Sequence, residues 1–161
     1  METINISKKN ALQAYNLGDK KQKEFLETLI GKEIFSQKVT DRIKTFEDAV
    51  NEVGVTENQK ILLDYNGIDS DLLAAQAFLK LTIIAKSLNE GWLPDWENSS
   101  ESKWYTWFNN YKSGFGFSNT DYVGWNAYSY CSSRLCFKTS DLAKYAGTQF
   151  LELYNQFLTI K

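Results

Sequence analysis

The side chains that most often do chemistry are sparse in this chain and poorly grouped. Histidine is absent, which removes the commonest general base, the commonest zinc ligand and any Ser-His or Cys-His nucleophile pair. The only thiols are Cys131 and Cys136. Two thiols without histidine do not complete a zinc site unless carboxylates or a second chain join them. The pair is read as reduced and partly buried, with a short disulfide as the alternative. Asp64, Asp69, Asp71, Asp95 and Glu97 are scattered acids, read as solvated loop and cap residues rather than an acid/base pair. Gly114-Phe115-Gly116-Phe117 has glycines like those of a phosphate loop but lacks the later glycine, the lysine and the following helix. It reads as a strand whose glycines admit neighbouring aromatics. No catalytic residue, metal site or cofactor is implied, and the chain is read as a non-enzyme.

Recognition chemistry is better represented. Residues 118–133 are built almost wholly from Tyr, Ser, Asn, Gly, Trp and small residues, with no Lys, Arg, Glu, Leu or Ile. That is the composition of a paratope: Tyr and Trp give rigid amphipathic contact area, while Ser, Asn and Gly give adaptable hydrogen bonds. The candidate binding residues are Asn119, Asp121, Tyr122, Trp125, Asn126, Tyr128, Ser129 and Tyr130, with Tyr122, Trp125, Tyr128 and Tyr130 as anchors. The plainer alternative is a polar hairpin whose tyrosines cover a sheet edge. Trp104, Trp107, Phe115 and Phe117 offer a second option, stacking single-stranded bases with Lys103, Lys112, Arg134 and Lys138 on the phosphates. Those four rings read more readily as core between the sheet and the helices. A third option is a small-ligand pocket near Trp92, Trp96 and Trp104.

The charge distribution disfavours nucleic acid. Among 161 residues the net charge is −2, so no cationic field draws in a polyanion. Residues 1–60 carry ten basic and ten acidic groups, residues 61–100 two and six, and residues 101–161 six and four. The C-terminal bias is too weak for a phosphate track. The start of the chain has neither the basic nor the apolar region of a signal peptide. The longest apolar stretch, in residues 72–85, is interrupted by Gln76, Lys80 and Thr82, so no membrane span is expected. These features point to a soluble product that starts life in a cytoplasm. The partner, macromolecule or small ligand, and the oligomeric state are not indicated.

At this size folding hides roughly 69% of the chain's surface, enough for a core without staples. Residues 7–30 read as two short helices, the first capped by Ser7 and broken at Gly18. The second is capped by Asp19 with Gln22 in a capping box and ends at Gly31, with Phe25, Leu26, Leu29 and Ile30 as its apolar face. Residues 1–36 form a helical N-terminal arm and 37–161 an α+β domain. Thr45 caps a helix ending at Gly54. Residues 55–69 read as a polar connection. Asp69 or Ser70 starts the strongest helix, running to about Asn89, with Ala74, Ala77, Phe78, Leu81, Ile84, Ala85 and Leu88 on a wide apolar face. Lys80, Lys86 and Glu90 are left for solvent.

Fourteen of the 24 aromatics fall in residues 92–137, including all five tryptophans. Candidate strands lie near 104–108, 115–118, 122–130 and 134–138. The last helix, capped by Thr139 or Ser140, buries Leu142, Ala146, Phe150, Leu153 and Phe157, and Gly147 allows close approach of a neighbour. The fold class is α+β: a small antiparallel aromatic-rich sheet packed against long helices, with a short helical arm.

Three blocks carry a resemblance. They are Asp41 to Ala49, Leu88 to Trp96, and Arg134 to Lys138 running into Leu142 to Phe150. They resemble a family recurrent in phages, prophages and mobile elements of gut Bacteroidales, including crAss-like phages. The match covers most of the chain from about residue 8, and the last block is the most specific. The resemblance implies a variable segment at 118–131, similar to the displayed faces of diversity-generating retroelement targets. Those targets usually have a C-type-lectin-like fold, from which the helical ends read here depart. Where the family often shows Gly-Ser-Arg, this chain has Ser132-Ser133-Arg134. The resemblance carries no catalytic residue.

Overall fold

The computed structural model describes residues 6–36, 38–111, 114–124 and 133–160. The chain begins with helices α1 (Lys8–Leu17), α2 (Lys20–Ile30) and α3 (Lys32–Ser36). They are followed by α4 (Val39–Arg42), α5 (Phe46–Val53), α6 (Glu57–Leu63) and the long α7 (Ser70–Leu88). A hairpin of β1 (Lys103–Tyr111) and β2 (Gly114–Val123) precedes α8 (Ser140–Gln149) and α9 (Leu151–Leu158). The architecture is α+β, an aromatic two-stranded antiparallel sheet packed on helices. Of the further strands expected, 134–138 contributes only an isolated bridge from Phe137 to Trp104. Most of 122–130 lies outside the described residues.

Local capping accounts for most helix starts. The Asp19 carboxylate accepts from the Gln22 N–H at 2.9 Å, and Gln22 Oε1 accepts from the Asp19 N–H at 2.8 Å. Thr45 and Asp48 make the same reciprocal pair for α5. Residues 55–69 depart from the expected connection, because Thr56 and Gln59 form a third capping box and start α6. The C-terminal carbonyls of α6 are then met by buried Gln76. Its amide lies within 2.9–3.1 Å of the Leu62, Leu63 and Tyr65 oxygens. A polar residue inside the α7 apolar face thus satisfies acceptors that a helix end leaves unpaired.

The core is centred on α7. Ala77, Leu81, Ile84, Ala85 and Leu88 are buried as the periodicity required, and α5, α6 and α9 pack around them. The helix expected over 140–158 is broken at Phe150 (φ −111°, ψ 30°) without proline or glycine. The two halves serve different partners: α8 packs on both strands, while α9 packs mainly on α7. Gly147 meets the hairpin directly, since a Cβ there would come within 2.4 Å of the Phe117 ring and 3.1 Å of Thr106 Cγ2. Near the N-terminus, α2 buries no side chain, and Leu17, Phe25 and Leu29 are exposed.

The end of α7 holds a polar hub. Glu90, expected in solvent, adopts φ 50°, a conformation that non-glycine residues seldom take. Its Oε1 accepts from Arg42 at 2.9 Å and its Oε2 from Lys138 at 2.9 Å. Arg42, with only 5% of its side chain exposed, also donates to Glu52 at 3.1 Å. Beside it, Asn89 Nδ2 donates to the Cys136 carbonyl at 2.8 Å and its Oδ1 accepts from the Lys138 N–H at 3.1 Å. The hub fastens residues 136–138 to α7, and the Phe137 bridge carries that attachment to β1.

Two outcomes test this packing. Gly147→Leu should lower stability by about 2 kcal/mol through overpacking, read as a lower urea midpoint; an unchanged midpoint would show that α8 and the hairpin do not meet there. For Glu90, burial would raise the carboxyl pKa, but hydrogen bonds from Lys138 and Arg42 outweigh it and hold the group below its ordinary 4.5. Its contribution is full above about pH 4.5 and is lost as the pH falls through the native value. Glu90→Gln should therefore cost about 1–3 kcal/mol at neutral pH, with the gap to the parent closing in acid. An acid-independent gap would show that the charge is not what stabilises.

Candidate binding surface on the hairpin

The strands pair in regular antiparallel register from Lys103↔Val123 to Trp107↔Asn119, and again from Phe108↔Phe117 to Tyr111↔Gly114. Ser118 is the extra residue, a bulge opposite Trp107 and Phe108. Alternation then sorts the side chains. Trp104, Phe108 and Phe115 pack against the helical core, and Phe117 lies over Gly147. Phe108 stacks on Phe115 at 4.9 Å and meets Tyr154 at 4.6 Å between centroids. Thr120 is on the same inner face, its hydroxyl 2.7 Å from that of Ser140. Lys103, Tyr105, Trp107, Asn119, Asp121 and Val123 alternate onto the outer face.

Half of that outer face is closed. Trp92 and Trp96 cover Tyr105, Val123 and Cys136 in a second small core. Lys103 is 0% exposed. Its ammonium donates to the Asn98 carbonyl at 2.8 Å, pairs with Glu101 at 3.4 Å and lies over the Trp96 ring. Glu101 also accepts from Trp92 Nε1 at 3.1 Å and from the Asp95 N–H at 2.8 Å. Those bonds, led by the backbone N–H of Asp95, hold its carboxyl below the ordinary range. The open half carries Trp107 (41% exposed) with exposed Asn119 and Asp121.

Of the eight candidate binding residues, Asn119, Asp121 and Tyr122 are described, and all three are exposed. They are not on one face. Asn119 pairs with Trp107 and Asp121 with Tyr105, whose hydroxyl reaches the Asp121 carboxylate at 3.4 Å. Tyr122, 55% exposed, leans on Trp104 from the inner face at 5.0 Å between centroids. Trp125, Asn126, Tyr128, Ser129 and Tyr130 lie outside the described residues, as do Lys112 and Cys131.

The base-stacking constellation is not assembled as expected. Trp104, Phe115 and Phe117 turn toward the helices, and Trp107 alone of the four turns out. Lys103 is buried in its own ion pair and Lys138 is engaged by Glu90, while Arg134 is exposed. The tryptophan pocket is likewise divided, since Trp92 and Trp96 pack in one core and Trp104 against the other. Among the acids, Asp69 caps α7 and Asp95 accepts from the Glu97 N–H. Among the described residues no helix is long and apolar enough to cross a membrane.

Two features had no reading from sequence. The Glu90 hub is invisible because an acid just past a helix end looks solvated. The other is a cavity of about 300 Å³ between β1 and α9, which needs tertiary placement to exist.

Cys136 lies beneath the outer face. Burial pushes its thiol pKa up to about 11, and Sγ is 3.3 Å from the Ser133 carbonyl. Since the thiolate is the nucleophile, native Cys136 should resist iodoacetamide at pH 8 and be labelled once urea is added, as read by peptide mass mapping. Rapid labelling in the native state would show that this small core opens. No protein-family model, curated protein or solved structure matches the chain.

Proposed function

We propose that this chain is a non-enzymatic binding module of a phage or mobile element, with its recognition surface at the end of β2 and in the segment that follows. The resemblance supplies the origin and the variable character of that segment. The observation that carries the reading is the contrast within β2: Asn119, Asp121 and Tyr122 are exposed while their neighbours Thr120 and Val123 are committed to the core. A strand held from behind in this way presents its remaining side chains at little entropic cost. Trp107 extends the outer face that Asn119 and Asp121 share with a rigid ring, the residue type that dominates binding hot spots.

The test is the combined change Tyr122→Ala, Trp125→Ala and Tyr128→Ala. The urea midpoint should stay within about 0.5 kcal/mol of the parent, as for surface positions. Affinity for any partner selected with the parent chain should fall at least 100-fold, read by surface plasmon resonance. Unfolding of the variant would make these rings core and end the proposal. Fluorescence titration with labelled oligothymidine at low and moderate salt should show no salt-sensitive binding; a steep salt dependence would favour a single-strand binder instead.

A further inference from the structure

We infer that the cavity at the end of α7 binds a small zwitterion with an apolar side chain, a free amino acid or a short peptide. The cavity measures about 620 Å³, within the range of roughly 300–1,000 Å³ usual for small-molecule sites. It lies between α1, α5 and the last turn of α7, and it shares no residue with the hairpin surface proposed above. All of its lining residues are described. Helix α1 supplies one wall because Ala11 and Leu12 are buried and α1 packs on α5. Glu90 at φ 50° and Gly91 at φ 85° turn the chain past the end of α7, and Trp92 then joins the same lining. Of the three tryptophans considered for a pocket, Trp92 alone borders this one.

Three polar groups of this lining are left over by the fold. Ser87 is 0% exposed, and its hydroxyl has no hydrogen-bond partner among the described residues, although buried polar groups are ordinarily paired. Glu52 gives one carboxylate oxygen to Arg42 at 3.1 Å, and its other oxygen accepts no bond among the described residues. Lys86 is exposed, with neither an ion pair nor a hydrogen bond among the described residues. Lys86 and Glu52 thus bring opposite charges to one cavity without meeting. In the hub Arg42 and Lys138 balance Glu52 and Glu90, so the Lys86 charge is in excess and favours a carboxylate. The spare Glu52 oxygen would repel a plain anion but accepts readily from an ammonium. Leu12, Leu17, Val53 and Trp92 make up the apolar part of the lining. One cation, one spare anionic acceptor and an apolar wall match the carboxylate, ammonium and side chain of an amino acid.

Isothermal titration calorimetry on the full chain tests this with L-leucine, L-phenylalanine and the dipeptide leucyl-leucine. At least one should bind with a Kd below about 1 mM. Tighter binding of the dipeptide would assign the site to short peptides, and the reverse order to free amino acids; either order supports the inference. Glu52 is probed from the ligand's side, because its other oxygen holds Arg42. The N-acetyl form of the best ligand lacks the ammonium and its amide form lacks the carboxylate, and each should bind at least tenfold more weakly. Lys86→Met should abolish the preference for the free acid over the amide and leave the urea midpoint unchanged. Ser87→Ala should weaken binding about fivefold without lowering the urea midpoint, since it removes a hydroxyl that has no partner in the free protein. Failure of all three ligands to bind, as when a segment of the chain already fills the cavity, would overturn the inference. So would equal affinity for the N-acetyl form, or an unaltered acid preference in Lys86→Met. A Ser87→Ala midpoint that falls while affinity holds would make the serine structural and would also overturn it. The Tyr122, Trp125 and Tyr128 variant should bind the ligand as the parent does, so the two proposals fail separately.

Discussion

A single unpaired residue decides what the hairpin buries and what it shows. Without the bulge at Ser118, strict alternation would keep Phe115, Phe117, Asn119 and Asp121 on one face and send Thr120 and Tyr122 to the other. The helices would then have to accept an asparagine and an aspartate beside the phenylalanines. Burial of unpartnered polar groups costs kilocalories per group. The extra residue resets the phase midway along β2. The phenylalanines nearest the turn and the Thr120 hydroxyl both reach the helical side, and the amide and carboxylate are released to the surface.

That sorting works only because the helical side is firm. α7 has a face too wide for one neighbour, and α5 and α6 take one flank while α9 takes another. The break at Phe150 follows from this demand. A straight helix from Ser140 to Leu158 would follow the hairpin or α7, but one that changes course satisfies both. The Phe150 ring then enters the core, with Tyr145 edge-on to it at 6.3 Å. Tyr145 in turn donates to the Ile43 carbonyl at 2.7 Å, joining α8 to the segment before α5. The support behind β2 thus comes from helix contacts distant in sequence.

The parts legible in the sequence are those whose causes are local. Asp19, Thr45, Asp69 and Thr139 cap helices because their side chains reach backbone N–H groups two or three residues on. Thr56 and Gln59 carried the same signal, but Ile61-Leu62-Leu63 is a run without helical period, and the polar surroundings masked it. The wide face of α7 was legible from spacing. The broken last helix was not, because no residue at 150 forbids a helix and the cause lies in what each half touches. In the candidate site, the composition of 118–133 pointed to Asn119, Asp121 and Tyr122 as surface residues. Alternation divides them between two faces, but which face turns to the helices depends on the Ser118 bulge, which no glycine or proline marks.

The closed half of the outer face explains why Lys103 is a lysine. An aliphatic side chain would fill the same space beneath Trp96 and escape the cost of desolvating a charge, and such replacements often leave stability unharmed. An aliphatic group, however, has no direction. The ammonium fixes the Asn98 carbonyl and the Glu101 carboxylate, and Glu101 fixes Trp92 and Asp95. One buried charge therefore sets the path of the loop from Trp92 to Glu101 over the start of β1, a path that apolar contact alone would leave loosely specified. With the loop fastened there, the outer face closes at Lys103 and Tyr105 and stays open at Trp107, Asn119 and Asp121. A polar interaction that adds little net stability thus determines where the available surface begins.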